Sequence, residues 1–547
     1  MRIFALCKSY LLSCKYSLII YFMLTLTAVI ITILSPYILG DFIDNLIQGA
    51  DVHAILRFCI IFGGLSLLSI LKGYATSLLY VKMQNKMGYG FTKAVVQHIQ
   101  RASLSYSNKK DLAYLSSRVT TDTNSMIGFC ITVLQGVFTN IIKLVLSFII
   151  LLALNRFIAI LMLLFLAVYL LLYFACKKLL YEVGFELRES RARFFSGMLE
   201  QLKHIKLIKI NAIQNKFNMR ADEKFYELDR AAVRNQKVSY LYAGMDGIIS
   251  TVAQIVLFVI GGLQILNGNF TIGMFTIFTA YFNLMLGSAR YFYGLGAAYQ
   301  QAKVSCNRID EILAQEPEIY GAAVPDDMRS IAFRNVSFSY NNDDLKQVIR
   351  NLVASLTKGN IYAVTGANGA GKSTMISLMM GLYINEYTGE ITYNHTDIRD
   401  IDMDIVRRNH IGYASQEPEL ISDSILYNLI YDKNDVIIKN EHLNKCIEIL
   451  NMTEFFRKYN LDYEINETNN NISGGEKQKI AILAVLNKNP TVMIFDEPTS
   501  ALDSGTTVRF IDYLNHIKKE KIIVIITHDP QVQSRCDEIL KIGGNHT

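Results

Sequence analysis

The stretch NIYAVTGANGAGKSTMISLMMGLY, residues 360–383, decides half of the fold. Four apolar or β-favouring residues, Tyr362 to Thr365, run into Gly366, and the string G-x-x-x-x-G-K-S closes on Lys372 and Ser373. A helical pattern, STMISLMMGLY, follows. Strand, glycine-rich loop and helix in that order form a phosphate cradle. Gly366, Gly369 and Gly371 let backbone N–H groups turn inward, with Asn368 between them; Lys372 neutralises the β- and γ-phosphates. Ser373 reaches Mg²⁺, and Ser373 and Thr374 open a helix whose N-terminus favours an anion. A nucleotide's phosphates with Mg²⁺ are the expected occupants of this arrangement.

Two further apolar runs belong to the same α/β unit. TVMIF (491–495) ends in Asp496 and Glu497, followed by Pro-Thr-Ser-Ala-Leu-Asp to Asp503. A carboxylate at the end of a strand can hold Mg²⁺, and its neighbour can orient and polarise an attacking water. KIIVIITH (521–528) delivers His528 to the same edge. Upstream, Pro317 and Pro325 mark a linker over 311–329, which places a nucleotide-binding domain at 330–547 and a separate domain at 1–310.

That first domain is of another kind. The chain of 547 residues is 51% apolar and 19% charged, and the apolar excess lies before about residue 300. Runs near 17–40, 54–80, 127–154, 157–178, 245–267 and 271–296 each meet the roughly 20 residues that a bilayer core requires. Only Pro36 precedes Pro317, so long unbroken helices are expected. The first run is too long for a signal peptide and no small-residue cleavage pattern follows it.

Orientation follows from the loops. DFIDNLIQGADVHA (41–54) carries Asp41, Asp44 and Asp51 and no Lys or Arg. The next loop, 81–126, carries Lys82, Lys86, Lys93, Arg101, Lys109, Lys110 and Arg118. Asn155 and Arg156 make a bare turn, 179–244 is again basic, and NGNF is short and neutral. The basic loops lie inside, so both termini are expected in the cytoplasm of a cell whose cytoplasmic membrane the chain crosses. The two inside loops keep apolar residues three and four apart, which continues the spans as helices beyond the bilayer. The net charge of +6 is accounted for by these loops, and no nucleic-acid partner is expected. Eight scattered Cys without C-x-x-C and nine dispersed His suggest neither disulfides nor a metal cluster.

Residues 330–545 resemble the ATP-binding cassette of ABC transporters, and ISGGEKQ at 472–478 resembles that family's signature. The resemblance implies that the nucleotide is ATP, and it implies two cassettes meeting head to tail, with Ser473, Gly474 and Gly475 of each contacting the γ-phosphate held by the other. It further implies that Tyr340 stacks on adenine, that Gln416 senses Mg²⁺, that Asp503 links the two sites and that His528 contacts the γ-phosphate. The catalytic set is then Glu497, His528 and Gln416, and the metal set Ser373, Gln416 and Asp496. Spans before cassette, SQEPELISDSILYNLI (415–430), RVTTDTNSM (118–126) and IKLIKINAIQNKF (205–217) resemble the exporter branch. The fold expected is therefore a six-helix membrane domain of ABC exporter type followed by an α/β P-loop NTPase cassette. Departures are Ile472 for the usual Leu, Glu476 for Gln, and Asn466 and Asn469 for the glycines flanking Glu467.

One phosphate loop and one signature in a chain imply a second half-transporter, a homodimer before a heterodimer. The activity implied is ATP hydrolysis coupled to alternating access. For cargo, Lys143 with Asn140 on one helical face is either a cavity cation or an interhelical ion pair. Arg290 either contacts cargo or snorkels to the interface. Tyr281, Asn283, Tyr291 and Tyr293 line a path or pack a seam. A small modified peptide of bacteriocin type is the first expectation, and a drug-like amphiphile or a lipid the next. No cysteine-protease domain is seen ahead of the first span. A soluble cassette acting on ribosomes or DNA would lack the spans; an ATP-gated channel is a remote alternative.

Overall fold

The computed structural model describes residues 2–49, 51–108, 115–116, 118–318, 320–340, 347–431, 440–466 and 472–543, without the side chains of Tyr293, Ala297 and Asn440. Lys109, Lys110, Glu467, Asn469 and the Tyr293 side chain lie outside it. The chain divides into two units, one of residues 1–97 and 113–314, the other of 98–112 and 315–547.

The first unit is helical. Helix α1 (Arg2–Ser13) precedes α2 (Lys15–Ile47) and α3 (Val52–Arg101); after the short α4 (Leu104–Asn108) come α5 (Thr123–Leu154), α6 (Arg156–Lys203), the short α7 (Ile205–Ile210), α8 (Gln214–Leu266) and α9 (Ile272–Leu313). Six of these are long and apolar enough to cross a membrane, and α3, α6 and α8 run to 50, 48 and 53 residues. At about 1.5 Å per residue, α8 is roughly 80 Å long against a bilayer core of about 30 Å, so each of the three projects far beyond the hydrocarbon.

Burial differs sharply among the spans. The apolar window of α9 is 50% buried and that of α3 is 0% buried, so α9 runs through the core and α3 along the periphery of this unit. Ile277, Phe278, Tyr281, Phe282, Met285 and Leu286 of α9 pack against Val29 and Ile33 of α2 and Ala253 and Leu257 of α8. Helices α2 and α9 cross where both lack side chains: a Cβ on Gly273 would lie 2.1 Å from the Gly40 carbonyl oxygen. Small residues are what permit backbones to approach so closely in lipid. Asp44 finishes this end, accepting from Gly273 N (2.7 Å) and Thr271 Oγ1 (2.6 Å). Asn155 makes the turn between α5 and α6 by capping α6, its side-chain oxygen accepting from Phe157 N and Ile158 N.

The second unit carries two sheets. Strands β1 (Ser330–Phe338), β2 (Ile349–Thr357), β4 (Tyr387–Tyr393) and β5 (Thr396–Asp397) form an antiparallel sheet in the order β2-β1-β4-β5. Strands β3 (Ile361–Thr365), β6 (Ile411–Ala414), β7 (Val492–Asp496), β8 (Ile522–Ile526) and β9 (Glu538–Lys541) form a parallel sheet in the order β6-β7-β8-β3-β9. The continuous apolar runs read in the sequence are explained by burial on both faces. Val492, Ile494, Val524 and Ile526 face one core; Met493, Phe495, Ile523 and Ile525 face the other. Helix α4 belongs to this unit, where Ser103 and Ser105 both donate hydrogen bonds to the Glu386 carboxylate.

Candidate functional site

Four neighbouring parallel strands, β6, β7, β8 and β3, end at one edge of the second sheet. Their carboxyl ends lead to Gln416, to Asp496 and Glu497, to His528, and to the glycine loop 366–371. Such a strand edge is where open α/β sheets bind ligands.

The loop is built as its glycines require. Gly366, Gly369 and Gly371 have φ of 155°, 80° and 97°, which L side chains avoid. A Cβ on Gly366 would also stand 2.5 Å from the Ile542 carbonyl oxygen. Asn368 and Gly369 are exposed at the loop's tip. Lys372 opens the helix Lys372–Met379, and its ammonium donates to the carbonyls of Gly366 (2.8 Å) and Ala367 (3.3 Å) and lies 2.9 Å from His528 Nε2. His528 Nε2 is in turn 3.9 Å from Glu497 Oε1, and Gln416 Nε2 donates to Glu497 Oε2 at 2.7 Å. Lys372, His528, Glu497 and Gln416 thus form one polar chain across the strand ends.

Asp496 lies beneath this chain, 7% exposed. It accepts from Ser373 Oγ at 3.4 Å and from the Tyr413 hydroxyl at 3.5 Å. Burial raises its carboxyl above the ordinary range and the Glu497 charge adds to this; the Ser373 and Tyr413 hydroxyls and Lys372 oppose it. A buried carboxylate beside a serine hydroxyl offers hard oxygen donors, and no cluster of three or more His, Cys, Asp or Glu is present among the described residues. So sparse a donor set suits a small dication that keeps waters and phosphate oxygens of its own, as Mg²⁺ does. Gln416 points its amide N–H₂ at Glu497, which leaves its oxygen as the group available to a metal.

Glu497 itself is strained, at φ 47° and ψ 48°. Two residues that the sequence reading assigned no role hold it there. Gln478 Nε2 donates to the Glu497 carbonyl at 2.9 Å, and Ser500 Oγ donates to the same carbonyl at 3.0 Å and to Gln478 Oε1 at 2.9 Å. Gln478 is 4% exposed and closes the ISGGEKQ string, so the motif itself carries the signal for this residue.

The remaining residues stand apart from that polar chain. The Tyr340 hydroxyl is 2.8 Å from Thr374 Oγ1, and its ring meets Phe338 and Tyr383 edge-on. Ser473 caps the helix Gly474–Lys488 in a capping box with Glu476, whose carboxylate accepts from Ser473 N at 2.7 Å. The Glu476 departure therefore keeps the reciprocal cap that Gln would make. The hydrogen bonds of Ser473 stay within this turn and do not reach the glycine loop of the same chain. A Cβ on Gly474 would meet no atom of the described residues within 4 Å, so among these the start of this helix presents open backbone. Asp503 is exposed and caps the helix Ser504–Ile517; hydrogen bonds from the Thr506 hydroxyl and N–H hold its carboxyl below the usual range.

In the spans, the half-exposed Arg290 guanidinium pairs with Asp246 at 3.0 Å. Asn140 donates to the Gly136 carbonyl of its own helix. Tyr281 is buried and donates to the Ile33 carbonyl at 2.6 Å, a packing role, whereas Tyr291 lines a cavity of about 410 Å³. Asn283 is exposed beside Gln254, with 3.4 Å between the side-chain amides.

Comparison with known proteins accords with this geometry. The ABC transporter transmembrane region family matches residues 18–289, and the ABC transporter family matches 349–500. The chain is 26% identical over 351 residues to the lactococcin-G-processing and transport ATP-binding protein LagD of Lactococcus lactis subsp. lactis, covering 63% of this chain and 49% of that protein. It is 24% identical over 462 residues to the putative multidrug export ATP-binding/permease protein YgaD of Bacillus subtilis, covering 83% and 79%. The chain spans about half the length of the lactococcal relative, and less of two relatives from Dictyostelium discoideum. A solved structure of a bacterial Atm1-family ABC exporter with ATP bound superposes with a TM-score of 0.83 at 18% identity, over 97% of this chain and 93% of that one, which shows a shared fold. With a matched transmembrane region and a matched cassette on one polypeptide, in the exporter-type order of six spans and then cassette, this chain belongs to the ABC transporters.

Proposed function

We propose that the chain is one half of an ATP-driven exporter that works as a pair, a homodimer first, in a bacterial cytoplasmic membrane with both termini inside. One observation carries the reading: Lys372, His528, Glu497 and Gln416 are linked side chain to side chain along the phosphate-loop edge of a chain that also has six apolar spans. In this reading Tyr340 stacks on the adenine and the loop N–H groups with Lys372 hold the phosphates. Ser373 and Asp496 hold Mg²⁺, with Gln416 beside it, and Glu497 orients the attacking water. His528 contacts the γ-phosphate. The open helix start at Ser473, Gly474 and Gly475 serves the ATP of the partner subunit, which agrees with its lack of hydrogen bonds to its own glycine loop. Asp503 connects the paired sites.

ATP favours the paired state by binding it more tightly, and that difference in affinity drives the change of access; hydrolysis resets it. The cargo is an amphipathic molecule exported from the cell. LagD, whose name assigns it lactococcin-G processing and transport, supports a cargo of that kind, and YgaD, named for putative multidrug export, supports a drug-like amphiphile as the second reading. The test is Glu497→Gln. ATP still binds, because the loop and Lys372 are untouched, while turnover falls by roughly a hundredfold or more. Hydrolysis near the parent rate in that variant refutes the role given to Glu497.

A further inference from the structure

Cations within the spans differ in their pairing. Arg290 has its carboxylate in Asp246. Lys72 of α3 and Lys143 of α5 have none: the Lys72 ammonium is buried without a hydrogen-bond partner, and Lys143 makes no ion pair or hydrogen bond among the described residues. Lys72 is the more telling. Helix α3 turns Ile60, Ile61, Leu67, Leu68, Ile70 and Leu71 outward, and before Met83 the only residue it buries among the described ones is this lysine, 9% exposed. A side chain that snorkelled would carry its charge to the surface; this one carries it inward.

Both lysines line the same cavity, about 500 Å³, between α2, α3 and α5. Among the described residues, no Asp or Glu borders it. Its walls are otherwise hydroxyls, small residues and the rings of Tyr21 and Tyr80, and the Tyr21 hydroxyl is already committed to Gln135. Two ammonium groups in one cavity repel each other, and a buried charge without a partner is costly. An anion between them relieves both terms at once.

We propose that Lys72 and Lys143 form a clasp for the carboxylate or phosphate end of an amphipathic cargo, with its apolar part against the tyrosine-lined wall. The proposal deepens the exporter reading and rests on it for the word cargo; the anion site itself is testable separately.

The test uses the full chain in nanodiscs of phosphatidylcholine, without nucleotide. Three single-chain amphiphiles of equal tail length are titrated below their micellar concentrations: dodecyl phosphate, dodecyl maltoside and dodecyltrimethylammonium. Binding is read as the shift in melting temperature. The parent protein is expected to prefer dodecyl phosphate by about tenfold or more over both others. K72Q and K143Q each weaken that probe by roughly tenfold to a hundredfold, the range of one lost charge-assisted hydrogen bond. K72R/K143R keeps affinity within about threefold. Discs containing phosphatidylglycerol separate the sources: competition with dodecyl phosphate in the parent and not in K72Q/K143Q assigns the anion to a lipid headgroup, and no competition assigns it to a free amphiphile. Equal binding of the three probes by the parent protein, a result that needs no variant to fold, overturns the proposal, as does undiminished dodecyl phosphate binding in K72Q/K143Q. Basal phosphate release from ATP is measured in parallel. If it is absent while the probes discriminate by charge, the exporter reading falls and the anion site stands; the opposite pattern removes only the site.

Discussion

Replacing Gln478 with Leu and Ser500 with Ala together removes both donors from the Glu497 carbonyl, 2.9 Å and 3.0 Å away. The left-handed conformation at Glu497, φ 47°, costs an L residue about 1–2 kcal/mol, so this turn depends on outside support. A carbonyl that loses its donors where water does not replace them costs about 1–3 kcal/mol more. The sum is enough to let the turn relax and carry the carboxylate away from Gln416 and His528. The lost donors set the scale: about 1–3 kcal/mol at about 1.4 kcal/mol per tenfold is expected to lower kcat roughly fivefold to a hundredfold. KM for ATP should change less than about threefold, because the hydrogen bonds of Lys372 to the glycine loop involve neither substituted side chain. Ser500→Ala alone leaves the Gln478 bond in place and should cost only a few-fold. Steady-state phosphate release in nanodiscs gives kcat and KM, and equilibrium ATP titration checks binding. Parent-level kcat in the double variant refutes the argument; equal losses of kcat and ATP affinity refute it too, since they indicate general damage rather than a displaced carboxylate.

Two further outcomes are expected. The raised carboxyl of Asp496 contributes stability that is full below the ordinary carboxylate range and is lost as pH rises through the raised value. Melting temperature should therefore fall over that interval, and Asp496→Asn should flatten the fall; an unchanged profile in the variant would put its cause elsewhere. Gly273→Ala brings a methyl within 2.1 Å of the Gly40 carbonyl oxygen and should destabilise by about 1–3 kcal/mol, whereas Gly262→Ala, with no atom within 4 Å, should be near neutral. Equal melting of the two variants would contradict the close crossing of α2 and α9.

The sequence announced those features whose chemistry forces residue type. Positive φ at Gly366 and Gly371 left no choice of residue, so the phosphate loop was legible, and so were spans whose length the bilayer sets. What escaped was pairing at a distance. Asp246 and Arg290 come from different helices 44 positions apart, and each alone reads as a charge near a span end. Gln478 and Ser500 meet Glu497 only once the helix Gly474–Lys488 has packed beside β6. Lys72 shares the run 54–80 with Arg57, and periodicity does not say which way such a side chain turns when most of the same helix faces outward.

Helix α8 is a single rod of 53 residues, roughly 80 Å from end to end. Pivoting it by about 5° at one end sweeps the other through about 7 Å, more than one helical pitch of about 5.4 Å. A displacement small enough for side chains in lipid to absorb by rotamer changes thus becomes, at the far tip, a full step past a neighbour. Length alone supplies that gain.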